Sequence, residues 1–228
     1  MRKGRLDFSI VLAIVFTLSL STCAGKKPAV RPELIEGPGW TRVNNNLHQV
    51  DGPPPGEGPE QAFRLYRSGA PDKETFAKWC SEFNIERVIV LSGTAEGNEW
   101  SYQAEGICPD IKVIYNLKQT VSDPVSDSFL ELFDEMIESA QEDQVGILIR
   151  CETGSHRAGR TAAYYQMKYQ GLTSAEAIAV MDYNGMLMPL FDPVLRPQVR
   201  AMEDYIHGRP CSEKGSACVV MDSERYVP

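Results

Sequence analysis

Residues 145–171 read VGILIRCETGSHRAGRTAAYYQMKYQG, an apolar run followed by a short polar loop and a helix-forming segment. The apolar run 145–149 has the length of a buried strand and is too short for a typical helix. Gly171 suits the position just after the end of a helix. The pattern therefore predicts a strand, a tight loop and a helix in direct succession.

The loop between this strand and this helix carries residue types that bind and attack phosphate. A loop wound between a strand end and a helix N-terminus turns N–H groups inward, and the helix dipole adds positive potential there. Arg157 offers a planar fork for two phosphate oxygens, and the same field favours the nucleophilic thiolate form of Cys151. Gly154 permits the tight turn. The predicted phosphate-binding residues are Glu152, Thr153, Gly154, Ser155, His156 and Arg157.

The chain on both sides of this loop alternates between strand and helix patterns. Short strand runs lie at 63–67, 87–91 and 111–115, and an amphipathic helix is predicted over 126–143. Thr173 and Glu176 form a capping box that opens a further helix. This alternation predicts an α/β fold with a central, mostly parallel sheet of four to five strands flanked by helices.

Cys151-x5-Arg157, placed between a buried strand and a helix, resembles the signature loop of the protein tyrosine phosphatase superfamily. The segments YRSGAP (66–71) and NIERVIVL (84–91) resemble the N-terminal part of its compact dual-specificity-like branch, and the likeness extends over residues 46–205. The resemblance implies a phosphatase in which Cys151 forms a cysteinyl-phosphate while Arg157 and the loop N–H groups hold the phosphate oxygens. An Asp would protonate the leaving oxygen, and water would then release phosphate. It implies no cofactor or metal, and a phosphorylated protein or small phosphomonoester as substrate.

The general acid of the resembled family comes from the loop before the amphipathic helix, here residues 116–127. In close relatives the Asp lies near the positions of Lys118 and Gln119, neither of which can serve. Asp123 is the best remaining candidate. Its alternative interpretation is a turn residue before Pro124.

Two positions depart from the pattern of the resembled family. Arg150 stands where His is usual, and Ala158 stands where a Ser or Thr hydroxyl assists turnover. Both changes predict slower hydrolysis of the phospho-enzyme rather than loss of phosphate binding, and Thr161 is a doubtful substitute for the hydroxyl. A phosphate- or phosphopeptide-binding pseudophosphatase therefore stays open as an alternative.

A third alternative is an inositol phosphate or phospholipid phosphatase, which several basic residues around the site would favour. The loop region offers Arg150, His156, Arg157 and Arg160. We expect His156 either to contact substrate or to be an exposed loop residue. His48 and His207 have no chemical constellation around them and are interpreted as surface or loop residues.

The N-terminus has the pattern of an export signal. Three basic residues within 2–5 precede the uncharged apolar stretch 8–20, which is too short to span a bilayer comfortably. The following LSTC, ending at Cys23, resembles a lipobox and predicts lipid attachment there; cleavage near Ala24 and an uncleaved anchor are the alternatives. The predicted protein is bacterial and exported, either periplasmic or a membrane-anchored lipoprotein. The predicted divisions are a signal peptide (1–22), linker and wrapping loops (23–58), a phosphatase-like domain (59–206) and a C-terminal tail (207–228).

Composition restricts the partners. The 228 residues and net charge of −8 predict one acidic domain, which argues against binding nucleic acid or anionic membranes by net charge. We expect a monomer that contacts membrane only through the N-terminal lipid. Besides Cys23 and Cys151, four cysteines remain, and an oxidising compartment would allow three pairings. Cys211 and Cys218 could close a small loop, whereas Cys80, on an apolar helix face, is interpreted as a buried free thiol.

Overall fold

The computed structural model describes residues 43–54, 56–59, 61–185 and 188–222. The strands in these ranges are β1 (His48–Asp51), β2 (Arg64–Ser68), β3 (Ile85–Val90), β4 (Lys112–Asn116) and β5 (Gly146–Arg150). The helices are α1 (Lys73–Phe83), α2 (Glu99–Ala104), α3 (Asp127–Glu142), α4 (Arg157–Gln170), α5 (Ser174–Tyr183) and α6 (Met188–Ile206).

The sheet has the order β1-β2-β5-β3-β4. β2, β5, β3 and β4 run parallel, and β1 pairs antiparallel with β2 at one edge. β5 lies in the centre with all five residues buried, as expected for a strand covered on both faces. The predicted α/β fold with a mostly parallel sheet is confirmed. Because β5 is the central strand, the loop that follows it lies in the middle of the carboxyl edge of the sheet.

Each face of the sheet carries its own hydrophobic core because successive strand side chains point to opposite faces. Ile147 and Ile149 of β5 pack with residues of α3, α4, α5 and α6. Leu148, between them, packs on the other face with Phe76 and Trp79 of α1. Helix α4, with ten buried residues, is therefore packed between the sheet and its neighbouring helices.

The predicted helix boundaries follow from capping. Ser126 accepts the Phe129 N–H at the start of α3, and the capping box of Thr173 and Glu176 opens α5. α4 ends at Gly171, whose φ of 69° is the left-handed conformation that glycine tolerates best.

Several elements depart from the sequence interpretation. β1 lies inside the stretch 23–58, where we expected only linker and loops; that expectation is wrong for residues 48–51, which pair with the edge of β2. α2 and α6 were not predicted, and α6 contains Pro193 and Pro197, which ordinarily argue against a helix. The C-terminal segment returns to the domain, where Val220 N–H and C=O pair with the main chain of residues 125 and 127.

The predicted signal peptide and Cys23 lie outside the described residues. Within the described part of the chain, no helix combines the length and apolar character needed to cross a membrane.

Candidate active site

Cys151 follows directly after β5 and is buried, with 1% of its surface exposed. Its N–H donates to Ser68 O at the end of the neighbouring strand β2, at 3.2 Å. Cys151 is also the free cysteine of the described residues. The sheet therefore fixes the backbone of the predicted nucleophile at the carboxyl edge.

Residues 151–157 form the predicted phosphate-binding loop, here called the phosphate loop. Two of its carbonyl groups accept hydrogen bonds from residues outside the loop. Glu152 O accepts from Ala70 N–H at 3.1 Å, and Thr153 O accepts from Asn46 Nδ2 at 3.0 Å. Because a trans peptide points its N–H opposite to its C=O, the N–H groups of Thr153 and Gly154 point away from Ala70 N and Asn46 Nδ2, respectively. Ser155 N–H makes a long contact of 3.5 Å with Thr153 Oγ1. The arrangement suits an anion at the centre of the loop.

Two glycines let the phosphate loop pack against the end of β2. Gly154 has φ of 73°, and a Cβ placed on it would lie 2.5 Å from Gly69 N. A Cβ on Gly69 would in turn lie 2.9 Å from Glu152 O. Gly154 is therefore required by conformation and by space, as the turn argument predicted.

Arg157 is the first residue of α4 and reaches across the carboxyl edge of the sheet. Its Nη1 donates to Leu91 O at 3.2 Å, just after β3, and to Gln119 O at 3.3 Å, in the loop after β4. The structure thus brings Arg157 and Cys151 to the same sheet edge, where the guanidinium also bridges two neighbouring segments.

Arg150 has partners of its own beneath the loop. Its side chain is fully buried and forms an ion pair with Glu99 of α2, with Nε 2.6 Å from Glu99 Oε1. Nη1 donates to the hydroxyl oxygens of Ser92 and Thr94, each at 2.8 Å. The charge of Arg150 is therefore compensated by a carboxylate. Sequence reasoning missed Glu99 because no pattern predicted α2.

Ala158 stands where the resembled family usually has a hydroxyl after the signature Arg. Ala158 is fully buried, and the Thr161 hydroxyl donates to Arg157 O at 3.1 Å inside α4. This hydrogen bond is consistent with the interpretation that Thr161 is a doubtful substitute for the missing hydroxyl.

Two predicted loop residues differ in exposure. Glu152 is exposed. His156 is buried and its ring packs edge-on against Phe191 with centroids 4.3 Å apart, so the interpretation as an exposed loop residue is wrong. Apolar packing from α6 holds it in place.

Asp123 lies at the surface in a hydrogen-bonded turn. Its carboxylate accepts from Thr120 Oγ1 at 2.7 Å, and its N–H donates to that same hydroxyl at 3.0 Å. Its main-chain O accepts from Arg160 Nη1 at 2.8 Å. The geometry includes the turn role considered from the sequence; the acid role of Asp123 stays a prediction.

A second buried cation lies behind the phosphate loop. Arg67 of β2 is 2% exposed and donates from Nη2 to Asn184 O at 3.0 Å. A Cβ on Gly159 would lie 2.8 Å from its Nη1, so the absence of a side chain there leaves room for the guanidinium. Burial lowers the pKa of Arg67 to about 10, while the charge of Cys151 acts in the opposite direction.

His48 corrects the interpretation of a surface residue. It is 8% exposed on β1, and its Nε2 lies 2.7 Å from Asn46 Oδ1. Burial first, and then the Arg67 charge, lower the pKa of His48 to about 3. His48 is thus a neutral second layer behind Asn46, which itself binds the phosphate loop. His207 is exposed, as expected.

The remaining described cysteines form two disulfides, Cys80–Cys108 and Cys211–Cys218. The second is the small loop considered from the sequence. The interpretation of Cys80 as a free thiol is wrong, because the turn after α2 brings Cys108 against α1. Among the described residues, no three His, Cys, Asp or Glu side chains group as metal ligands would.

No family model matches the chain, and none of the curated proteins matches it. Similar solved structures include P. aeruginosa TpbA, with a TM-score of 0.49 and 19% identity over 63% of this chain and 86% of TpbA. They also include PTPMT1 in complex with PI(5)P, with a TM-score of 0.48 and 14% identity over 71% of this chain and 97% of PTPMT1. A third is Tk-PTP, with a TM-score of 0.44 and 19% identity over 58% of this chain and 79% of Tk-PTP.

These three solved structures do not assign a family to this chain. With TM-scores below 0.5 and identities below 20%, they assign no activity or substrate to this chain.

Proposed function

We propose that this chain is a cysteine-dependent phosphomonoester hydrolase of the tyrosine or dual-specificity type. The observation that carries the proposal is the phosphate loop itself: a buried Cys151 at the end of the central strand, carbonyls turned outward, and Arg157 at the same edge. A sulfur nucleophile beneath inward N–H groups and a helix N-terminus suits attack on a bound phosphate.

The reaction has two balanced steps. The Cys151 thiolate attacks phosphorus, the bond to the ester oxygen breaks, and Asp123 donates its proton to the leaving oxygen. Water then attacks the cysteinyl-phosphate, giving its proton to Asp123, while the S–P bond breaks and the thiolate returns. Arg157 and the loop N–H groups hold the phosphate oxygens through both steps.

The substrate class follows from where the cations point. Arg150 is paired with Glu99, and Arg160 directs both of its Nη atoms at the loop after β4, so the Nη donors of neither residue are directed at a second phosphate. This favours a single phosphate on a protein or small phosphomonoester over an inositol phosphate or phospholipid.

A pseudophosphatase that binds phosphate without turnover is the second candidate. It is favoured by Ala158, which lacks the hydroxyl, and by Asp123, whose carboxylate is engaged by Thr120. Both features would slow release of phosphate more than its binding.

We further propose that the protein acts after export, in an oxidising compartment. Two disulfides within the described residues support such a compartment, since cytosolic proteins rarely keep them. The signal peptide and the lipid on Cys23 belong to this proposal, and mass spectrometry of the mature N-terminus tests them.

Turnover of p-nitrophenyl phosphate by the purified protein, compared with Cys151→Ser, tests the enzymatic proposal. We expect turnover that requires Cys151. We also expect the enzyme to trap or dephosphorylate a phosphorylated protein at one type of phosphorylated residue. Vanadate binding without any Cys151-dependent turnover would instead establish the pseudophosphatase.

A further inference from the structure

Residues 119–123, which include Asp123, are here called the acid loop. Hydrogen bonds to the main-chain oxygen of each of these five residues hold the loop in place. Each of its five carbonyl oxygens accepts a hydrogen bond from one of three side chains, Arg157, Arg160 and Gln198. The contacts are Arg157 Nη1 to Gln119 O at 3.3 Å, Arg160 Nη2 to Thr120 O at 3.2 Å, Gln198 Nε2 to Val121 O at 3.3 Å and Ser122 O at 3.2 Å, and Arg160 Nη1 to Asp123 O at 2.8 Å.

Arg160 and Gln198 are themselves a buried pair. Each is 1% exposed, and Arg160 Nη1 donates to Gln198 Oε1 between α4 and α6. Arg160 Nη2 also donates to Gln119 Oε1 at 3.2 Å. The described residues give Arg160 no carboxylate in an ion pair, so acid-loop carbonyls and two side-chain amides solvate its charge. Moving the loop away would strip a buried guanidinium of most of its acceptors, which is costly.

Helix α4 carries both Arg160, which binds the acid loop, and Arg157, the proposed phosphate ligand. Arg157 and Arg160 are three residues apart on α4, so both project toward the same side of the helix. The position of the acid loop relative to the phosphate is thereby set by one rigid element. Nothing in the resembled signature requires an Arg at the position of Arg160.

We propose that Arg160 and Gln198 are positioning residues that fix the acid loop over the phosphate loop throughout turnover. This deepens the proposed function and rests on it. With the backbone of Asp123 fixed, its carboxylate needs only side-chain rotation to exchange Thr120 Oγ1 for the leaving-group oxygen. The loop then works as a preset element of the site rather than as a mobile lid.

The kinetic test uses the full-length protein and two substrates that differ in their need for an acid. The leaving group of p-nitrophenyl phosphate departs well without a proton, whereas that of phenyl phosphate needs one. Arg160→Met should lower kcat for phenyl phosphate about tenfold more than for p-nitrophenyl phosphate, because misplacing an acid removes part of its contribution. Gln198→Leu should act in the same direction, and Arg160→Lys should restore part of the loss.

The matched control lies on α6 itself. Arg200 is an exposed cation paired with Glu213, and Arg200→Met should leave both substrates unchanged. A readout independent of activity is trypsin cleavage after Lys118, an exposed residue next to the acid loop. Cleavage should be faster in Arg160→Met and Gln198→Leu, and unchanged in the Arg200 variant.

The outcomes separate this inference from the proposed function. Equal losses of kcat for both substrates would overturn the positioning role. So would an unchanged rate of cleavage at Lys118 in both Arg160→Met and Gln198→Leu. Neither result would affect the proposed function if the wild type shows Cys151-dependent turnover. A wild type without Cys151-dependent turnover overturns the proposed function, and the positioning role in catalysis falls with it. Should Arg160→Met fail to fold, Gln198→Leu alone decides the question.

Discussion

Glu99→Gln should destabilise the protein far more than the loss of one hydrogen-bonded charge at the surface would. The change keeps the size of the side chain but leaves the Arg150 guanidinium without its carboxylate. Both side chains of the pair have 0% exposure, so water cannot compensate. An amide nitrogen would also face a guanidinium nitrogen, since Glu99 now accepts through both oxygens.

The magnitude follows from burial. Breaking a buried ion pair by removing one partner costs about 3–5 kcal/mol. For a domain of this size, each kcal/mol lowers Tm by about 2–4 °C, which gives a fall of about 6–20 °C. Glu99→Leu combined with Arg150→Met should cost less than Glu99→Gln, because it removes both charges together. The hydroxyl groups of Ser92 and Thr94 still form a hydrogen bond with each other in that double variant, at 2.8 Å.

Urea unfolding followed by circular dichroism, with disulfides intact, measures these differences. The matched control is Glu105→Gln, which removes the carboxylate of the surface pair with Lys73, where each side chain is 49% exposed. That change should cost about 1 kcal/mol or less. The reasoning is refuted if Glu99→Gln costs no more than Glu105→Gln, or if the charge-free double variant is as unstable as Glu99→Gln.

Two further predictions concern the phosphate loop and the layer behind it. Gly154→Ala should lower kcat/KM about a hundredfold, since loop atoms must shift to relieve the contact with Gly69. Gly171→Ala, at φ of 69° with open space around it, should leave kcat/KM unchanged, and equal kinetic effects would contradict the packing argument. His48 stays neutral in the folded protein between pH 6.5 and about 3, whereas the unfolded chain binds a proton there, so the folded state should lose about 2 kcal/mol from this group between pH 7 and 5. Urea unfolding of His48→Gln should show a smaller loss over that range, and identical pH slopes would refute it.

The parts of the fold that the sequence predicted are those set by local chemistry. Residues 146–149 of the central strand form an apolar run, and the helix after it ends at a glycine whose positive φ the backbone requires. The capping box of Thr173 and Glu176 is a short-range interaction, visible from spacing alone. The phosphate loop could be placed because strand, loop and helix follow one another without interruption.

The parts that the sequence did not predict depend on contacts between distant residues. Glu99 is 51 residues from Arg150, and no local pattern marks α2. His48 lies in a polar stretch, yet the pairing of β1 with β2 buries it beside Arg67. Cys80 meets Cys108 because α1 and the turn after α2 pack on the same face of the sheet. Each of these outcomes is set by the tertiary arrangement, which overrides local pattern.

The arrangement also suits the proposed binding of a phosphate by a chain with a net charge of −8. Four arginines converge beneath or beside the phosphate loop, namely Arg67, Arg150, Arg157 and Arg160. Among the described residues, an ion pair with a carboxylate is seen only for Arg150, while the other three donate to main-chain carbonyls or side-chain amides. Carbonyl groups satisfy a guanidinium's hydrogen bonds without cancelling its charge, so a positive potential persists around Cys151. Surface carboxylates such as those of Glu131, Glu135 and Glu138 on α3 are exposed and largely screened beyond about 10 Å at ordinary salt. The site therefore depends on three arginines that form no ion pair with a carboxylate among the described residues. Arg150, whose charge Glu99 compensates, anchors the loop, and the other three arginines supply its positive potential.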